Sequence, residues 1–239
     1  MTSSSDQPVW VDDLEAAPTS PAGLPVVVIG AGPVGLAAAA HLLERGLEPI
    51  VLEAGPRVGA NVVQWRHVRL FSPWCLALDP ASTRLLGQSG WAGPDPDGLP
   101  TGADLLEHYL EPLAASPAMA GRIRLDTTVV AVARHSLDKV RSPDRDRLPF
   151  LVRIRDRHGR LRDLQAWAVI DASGTWTQPN PLGASGLPAL GEAGPDTRIV
   201  YGLPDITGRD RARYAGRRTV VVGAGHSAAT SLLALADLQ

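Results

Sequence analysis

The chain has 239 residues, 44% of them hydrophobic and 20% charged, with 23 Lys and Arg against 25 Asp and Glu. A chain of this length can bury a sizeable core as one large domain or two small ones. Its near-neutral balance supplies neither a basic field for nucleic acid nor a block of charge for a membrane surface.

Cys75 is the single cysteine. It excludes an intramolecular disulfide framework and a Cys-x-x-Cys pair, fits a reducing cytoplasm, and is expected as a buried or half-buried free thiol. Residues 1–25 lack the basic start and apolar run of a secretory signal and read as a flexible leader rich in Ser, Pro, Ala and Asp. No apolar run approaches the roughly 18–20 residues that a membrane span needs, and no metal-ligand set is expected.

The first element, Val26 to Ile29, is wholly apolar and β-branched, as suits a strand buried on both faces of a parallel sheet. A helix is predicted from about Val34 to Arg45, with Gly46 as its left-handed C-terminal residue. "LEPIVLE" (Leu47 to Glu53) is the second strand. From Gly55 to Pro100 no sustained period is visible. "TGADLLEHYLEPLAAS" restores a helix, with Thr101 and Asp104 at capping-box spacing and Leu105, Tyr109 and Leu113 on one face. Three strands are then predicted as an antiparallel meander inserted into the α/β unit: "RIRLDTTVVAVARH", "FLVRIRD", and "RLRDLQAWAVIDASG" after the turn at Arg157 to Gly159. Phe150, Val152 and Ile154 should face inward. Pro179 to Pro195 reads as a loop, "DTRIVYG" as a short strand and "RDRARYAGRR" as a polar helix or connector. "TVVVGAGHSAATSLLALADLQ" begins a second β–turn–α unit.

Two glycine-rich turns carry the functional signal. In the first, Gly30 permits a tight turn, Gly32 lets a pyrophosphate approach the backbone, and Gly35 lets the helix pack closely on the strand. Pro33 opens the helix, whose N-terminus offers free N–H groups and a positive dipole end. Glu53, with Ala54 after it, closes the second strand where a carboxylate can hold an adenosine ribose. A glycine-rich packing turn is the bland alternative. The second turn, Gly223, Gly225 and Ala228, is a G-x-G-x-x-A variant. Ser227 is placed to cap the helix or donate to a phosphate, and His226 reads as a spacer with an exposed imidazole in preference to a catalytic base.

These motifs resemble the flavoproteins with two dinucleotide-binding domains, one for FAD and one for NAD(P)H, nearest in style to the flavin-containing monooxygenase-like branch. The resemblance rests on "GAGPVG" with Glu53, on "EAGPRVGANVVQW", on "LPTGADLLEHYLEPLA", on "VIDASGTWTQPNPLG" and on "YAGRRTVVVGAGHSA". It implies an α/β, FAD/NAD(P)-binding (Rossmann-like) three-layer fold with a parallel sheet, the inserted antiparallel meander and an incomplete second nucleotide-binding unit. The expected division is residues 1–25 leader, 26–195 the N-terminal part of an FAD-binding domain, and 196–239 the start of an NAD(P)H-binding domain. The resemblance further assigns Arg57 to the pyrophosphate region, Gly59 to close backbone contact, and Val130, Ser173 and Gly174 to the neighbourhood of FAD. Ser173 and Gly174 also read as an ordinary strand-end turn. Gly223, Gly225, His226 and Ser227 would meet NAD(P)H.

The implied activity is an FAD-dependent NAD(P)H oxidoreductase acting on a small molecule. Hydride would pass from nicotinamide to flavin, then electrons to a substrate or oxygen. No side chain stands out as acid, base or nucleophile. Trp65, Trp74 and Trp176 read as core in preference to flavin-pocket lining. The sequence departs from the family pattern in three ways. Val200 and Ile206 stand where the monooxygenase fingerprint has an aromatic residue and a histidine; no cysteine pair serves disulfide reduction; and none of the 24 glycines precedes an aspartate. The chain is therefore expected to be a fragment or truncation product, with a homodimer or a separately encoded C-terminal half as its partner. The rival reading is a non-catalytic nucleotide-binding remnant.

Overall fold

The computed structural model describes residues 23–183, 185–194 and 197–238; all but the last three residues of the predicted leader lie outside it. Strand β1 (Val26–Ile29), helix α1 (Pro33–Glu44) and strand β2 (Pro49–Leu52) form at the predicted places. Helix α1 ends as its sequence requires. Gly46 turns left-handed (φ 69°) and its N–H reaches the Leu43 carbonyl, while the Leu47 N–H reaches that of Leu42.

A four-stranded parallel sheet has the order β3-β2-β1-β7, with β3 at Ile123–Arg124 and β7 at Ala168–Asp171. Beside it lies an antiparallel meander of β4 (Thr128–Arg134), β5 (Phe150–Arg155) and β6 (Leu161–Ala166). Alternation along the central strands builds three layers. Val28 and Val51 face the helical layer, where Leu36, Ala39 and Ala40 of α1 have no exposed surface. Val27 and Leu52 face the other way, onto Val152, Ile154, Leu164 and Ala166 of the meander. The apolar runs of β1 and β2 thus answer two covered faces.

Two predicted strands divide. "RIRLDTTVVAVARH" breaks at Asp126, which is left-handed (φ 51°), so β3 joins the parallel sheet and β4 the meander. "RLRDLQAWAVIDASG" breaks at Trp167, whose N–H bonds the Pro25 carbonyl, and β7 enters beside β1. The predicted single strands failed because each run passes from one sheet to the other: β3 and β7 are the half-buried edge strands of the parallel sheet, while β4 and β6 belong to the meander.

The stretch without visible period contains α2 (Ala60–Gln64), α3 (Trp74–Ala77) and α4 (Pro80–Gly87). Helix α4 had a readable start: Asp79 caps it by accepting from the Ser82 N–H at 2.9 Å, and Pro80 occupies the first turn. Cys75 is exposed, contrary to expectation, because the short turn of α3 buries Trp74 and points its neighbour outward.

The helix predicted from Thr101 forms as α5 (Gly102–Leu105), a π-helical turn (Leu106–Leu110) and α6 (Glu111–Ala115). Leu105, Tyr109 and Leu113 are buried as predicted, with Leu106 and Leu110 beside them. Pro112 explains the widened turn. It has no N–H for the His108 carbonyl, and its ring would crowd that oxygen; Trp91 Nε1 donates to it instead at 2.9 Å.

The second unit differs most from expectation. The polar helix is α7 (Arg211–Tyr214) and the last helix is α8 (His226–Ala236). Neither Thr219–Val222 nor the described part of "DTRIVYG" joins a strand; among the described residues no strand lies beside either to pair with it. No residue of α8 is buried. Among the described residues no helix is long and apolar enough to cross a membrane.

Candidate functional site

The C-terminal ends of β1 and β7 meet at the point where the sheet order reverses, the place where ligands enter open α/β sheets. Gly30 leaves β1 at φ 97°, a conformation that favours glycine, and a Cβ there would stand 2.8 Å from the Ala172 carbonyl oxygen. A Cβ on Gly35 would stand 1.9 Å from the Gly30 carbonyl oxygen, so the close helix–strand packing read from the sequence is present. Gly32 is different. It has φ −81° and ψ −175°, and nothing lies within 4 Å of its notional Cβ. Its open side is free for a ligand. With Pro33 at the first helical position, the N–H groups of Gly32, Val34 and Gly35 have no protein acceptor among the described residues.

Glu53 turns into this crevice. Its carboxylate accepts from the Ala31 N–H at 2.7 Å and from the Gly55 N–H at 2.8 Å, while its carbonyl accepts from Thr127 N–H. The glycine-rich turn, the end of β2 and the approach to β4 are thereby tied to one residue, and the carboxylate keeps lone pairs for further donors. Ala54 is exposed next to it.

Gly59 is left-handed (φ 62°), and its N–H bonds the Ala31 carbonyl at 2.9 Å. A Cβ there would reach within 2.5 Å of Leu106 Cδ2. Its close backbone contact is thus with the first turn and the helix behind it. The Arg57 guanidinium is engaged by Glu111, a pairing across 54 positions that no local spacing announces. Val130 is the extra residue of a β-bulge in β4: Val129 pairs with Ile154 and Ala131 with Arg153, leaving Val130 out of register and exposed. Bulges need a partner strand to be seen, so sequence reasoning could not find this one.

After β7, the Ser173 hydroxyl and N–H both donate to Asp171 Oδ1, at 2.6 and 3.0 Å, and hold its carboxyl below the usual range. Gly174 then turns left-handed (φ 68°). Trp74 is core; Trp65 packs against the core and lies 6.4 Å from Trp176, centroid to centroid. Trp176 Nε1 donates to Gln64 at 2.8 Å, and its ring lies under Gly202.

The second turn repeats the first in backbone form. Gly223 has φ 124°, and Gly225 caps α8 with φ −86° and ψ −177°, close to the values of Gly32. Ser227 does not cap α8, since no side-chain capping bond forms there; Gly225 holds that position two residues earlier. The His226 ring packs on Phe71, centroids 4.9 Å apart, which links the second turn to the first unit.

Residues 25–111 match the FAD-dependent oxidoreductase (DAO) family. The FAD-dependent oxidoreductase match covers the first turn, Glu53, Gly59 and both partners of the Arg57–Glu111 pair. Among solved structures, the chain is similar to bacillithiol disulfide reductase Bdr (YpdA) from Bacillus cereus, with 22% identity and a TM-score of 0.50 over 66% of this chain and 42% of that one. The Staphylococcus aureus Bdr matches at 18% identity and TM-score 0.47, over 66% and 41%. OTEMO in complex with FAD and NADP matches at 21% and 0.44, over 64% and 26%. The chain therefore spans under half the length of each. No curated protein matches it. The likeness to the Bacillus cereus enzyme agrees with the α/β fold described above.

Proposed function

We propose that this chain binds FAD in the crevice between Gly30–Gly35 and Gly174, as the flavin-binding part of an NAD(P)H-using oxidoreductase of small molecules in the cytoplasm. The observation that carries the reading is the Glu53 carboxylate aimed at Ala31 N–H beside an open Gly32, within the segment that matches the FAD-dependent oxidoreductase family. In this reading the N–H groups at the start of α1 receive the diphosphate, and Glu53 accepts from the ribose hydroxyls. Val130 borders the adenosine, and Ser173 and Gly174 flank the cofactor. Gly223, Gly225, His226 and Ser227 receive NAD(P)H. When bound, FAD supplies two-electron redox chemistry, and the chain supplies binding and orientation. Val200 and Ile206, in place of the monooxygenase fingerprint, favour electron transfer to a substrate over oxygen insertion.

Purified protein should be yellow or become so with added FAD, and NADPH should bleach it under anaerobic conditions. A colourless protein that FAD does not stabilise would end this reading. A second reading has its own support. With α8 unburied and Thr219–Val222 outside any sheet, the chain would hold FAD but gain no hydride. Yellow protein that NADPH leaves unbleached selects that reading.

A further inference from the structure

A cavity of about 890 Å³ lies in the second unit between Ile199–Gly202 and Thr219–Val222, with one side of α8 behind it. Three features of its walls belong together. The first is main chain. Among the described residues, no backbone N–H or carbonyl from Arg218 to Ala224 bonds another backbone group, nor does any from Arg198 to Leu203. Unpaired main chain of this kind is what a strand recruits. The second is side-chain chemistry. Thr219 to Val222 are all β-branched, and Val220 and Val222 are 80% and 71% exposed while Val221 between them is half-buried, the alternation of a strand with one side uncovered. The third is charge. Arg198, Arg213, Arg217 and Arg218 line the cavity; among the described residues none of them donates a side-chain hydrogen bond or enters an ion pair, and no Asp or Glu lines it.

We propose that this cavity is a docking slot for a β-strand from a partner polypeptide, apolar and β-branched at its centre and acidic at its flanks. The strand's main chain pairs with that of Thr219–Val222, its centre covers the valines, and its carboxylates meet the four arginines. Apart from the Ile199 N–H, which donates to Thr197 Oγ1 at 3.2 Å, the main chain along both walls forms no backbone pairing, and this favours a polypeptide over a small amphipathic anion, which would satisfy the arginines and leave the backbone unpaired.

The test uses the full chain and a synthetic peptide, Asp-Asp-Val-Thr-Ile-Val-Val-Asp-Asp, with a copy in which lysines replace the aspartates. The acidic peptide should bind saturably and slow hydrogen exchange at the Val220–Val222 amides. The lysine copy should bind at least about tenfold more weakly. Combined Arg217→Glu and Arg218→Glu should weaken the acidic peptide about tenfold, and Val221→Pro, which removes one donor, should abolish the protection. Exchange at α1 amides, unchanged in both variants, establishes that the fold is intact. Neither variant touches the first crevice, so this result is separate from FAD binding. The proposal is overturned by no saturable binding, or by binding that leaves the Val220–Val222 amides unprotected. Decanoate competing at the same site with equal effect points to a small anion instead. Sedimentation as a dimer that Val220→Asp converts to monomer gives the slot to a second copy. Protection that is already present and lost on deleting residues 1–22 gives it to the chain itself. Each of these also overturns it.

Discussion

Gly32 and Gly35 sit three residues apart in the same turn and do opposite work. At Gly35 a methyl group would be driven into the Gly30 carbonyl oxygen, 1.9 Å away, and Gly30 is the first residue of the turn after β1, anchored by its N–H to the Leu52 carbonyl of β2. Gly35→Ala should therefore cost more than about 3 kcal/mol, at or beyond the upper range for overpacked cores. At Gly32 the methyl meets no protein atom within 4 Å and the backbone angles suit any residue, so Gly32→Ala should leave the melting temperature nearly unchanged. If the open side receives a diphosphate, the same methyl should weaken FAD at least about tenfold. Thermal unfolding and a flavin titration on the two variants separate the roles; a stable Gly35→Ala, or a Gly32→Ala that binds FAD normally, contradicts the assignment. These glycines and Glu53 were legible because their signals are local: a strand, a turn, a helix and an acid at the end of the next strand. Arg57 was not, since its partner Glu111 comes from a helix that only the folded chain brings near.

At the scale of elements, the helix from Gly102 to Ala115 shows how one residue's defect becomes another's function. Pro112 leaves the His108 carbonyl without its helical donor, and Trp91 Nε1 fills the vacancy. Trp91→Phe should cost about 0.5–1.5 kcal/mol, the net worth of a hydrogen bond to a carbonyl that water can also reach. Adding Pro112→Ala, which restores an N–H, should recover part of that loss, and chemical denaturation of the double-mutant cycle measures it. Additive effects would mean that the two residues are not linked through this carbonyl. The same helix starts on a capping box in which the Thr101 N–H and hydroxyl both donate to Asp104. Those donors, the backbone one foremost, hold the Asp104 carboxyl below its ordinary value. A depressed folded-state pKa stabilises above the unfolded value and loses that stability as pH falls through the folded one. The stability gap between wild type and Asp104→Asn should therefore be constant near neutrality and shrink below about pH 4. A gap that widens on acidification would contradict this. The capping box was readable because it is a four-residue pattern. The division of the two long strands was not, because β-branched runs look alike whether they end in the meander or in the parallel sheet.

For the molecule as a whole, covering decides which parts of the pattern became structure. The first unit has helices on one face of its parallel sheet and a meander on the other, and its predicted runs formed helix and strand, two of the strands in two pieces. The second turn adopts nearly the same backbone angles as the first, yet the run before it joins no sheet. Local geometry at a glycine turn thus needs no partner, whereas a strand does. Helices α1 and α8 provide the comparison. In α1, Leu36, Ala39 and Ala40 have no exposed surface, while α8 buries no residue along its eleven. An isolated helix of that length is marginal in water, since nucleation costs more than so few added bonds return. Amides in α1 should therefore exchange only with global unfolding, and those in α8 should be protected by less than about tenfold over an unstructured chain. Filling the neighbouring slot should slow exchange in α8 along with Val220–Val222, because Ala228, Ser231 and Leu235 line the same cavity. Equal protection of α1 and α8 in the free chain would show that something already covers the second helix, and would remove the reason for an incoming strand.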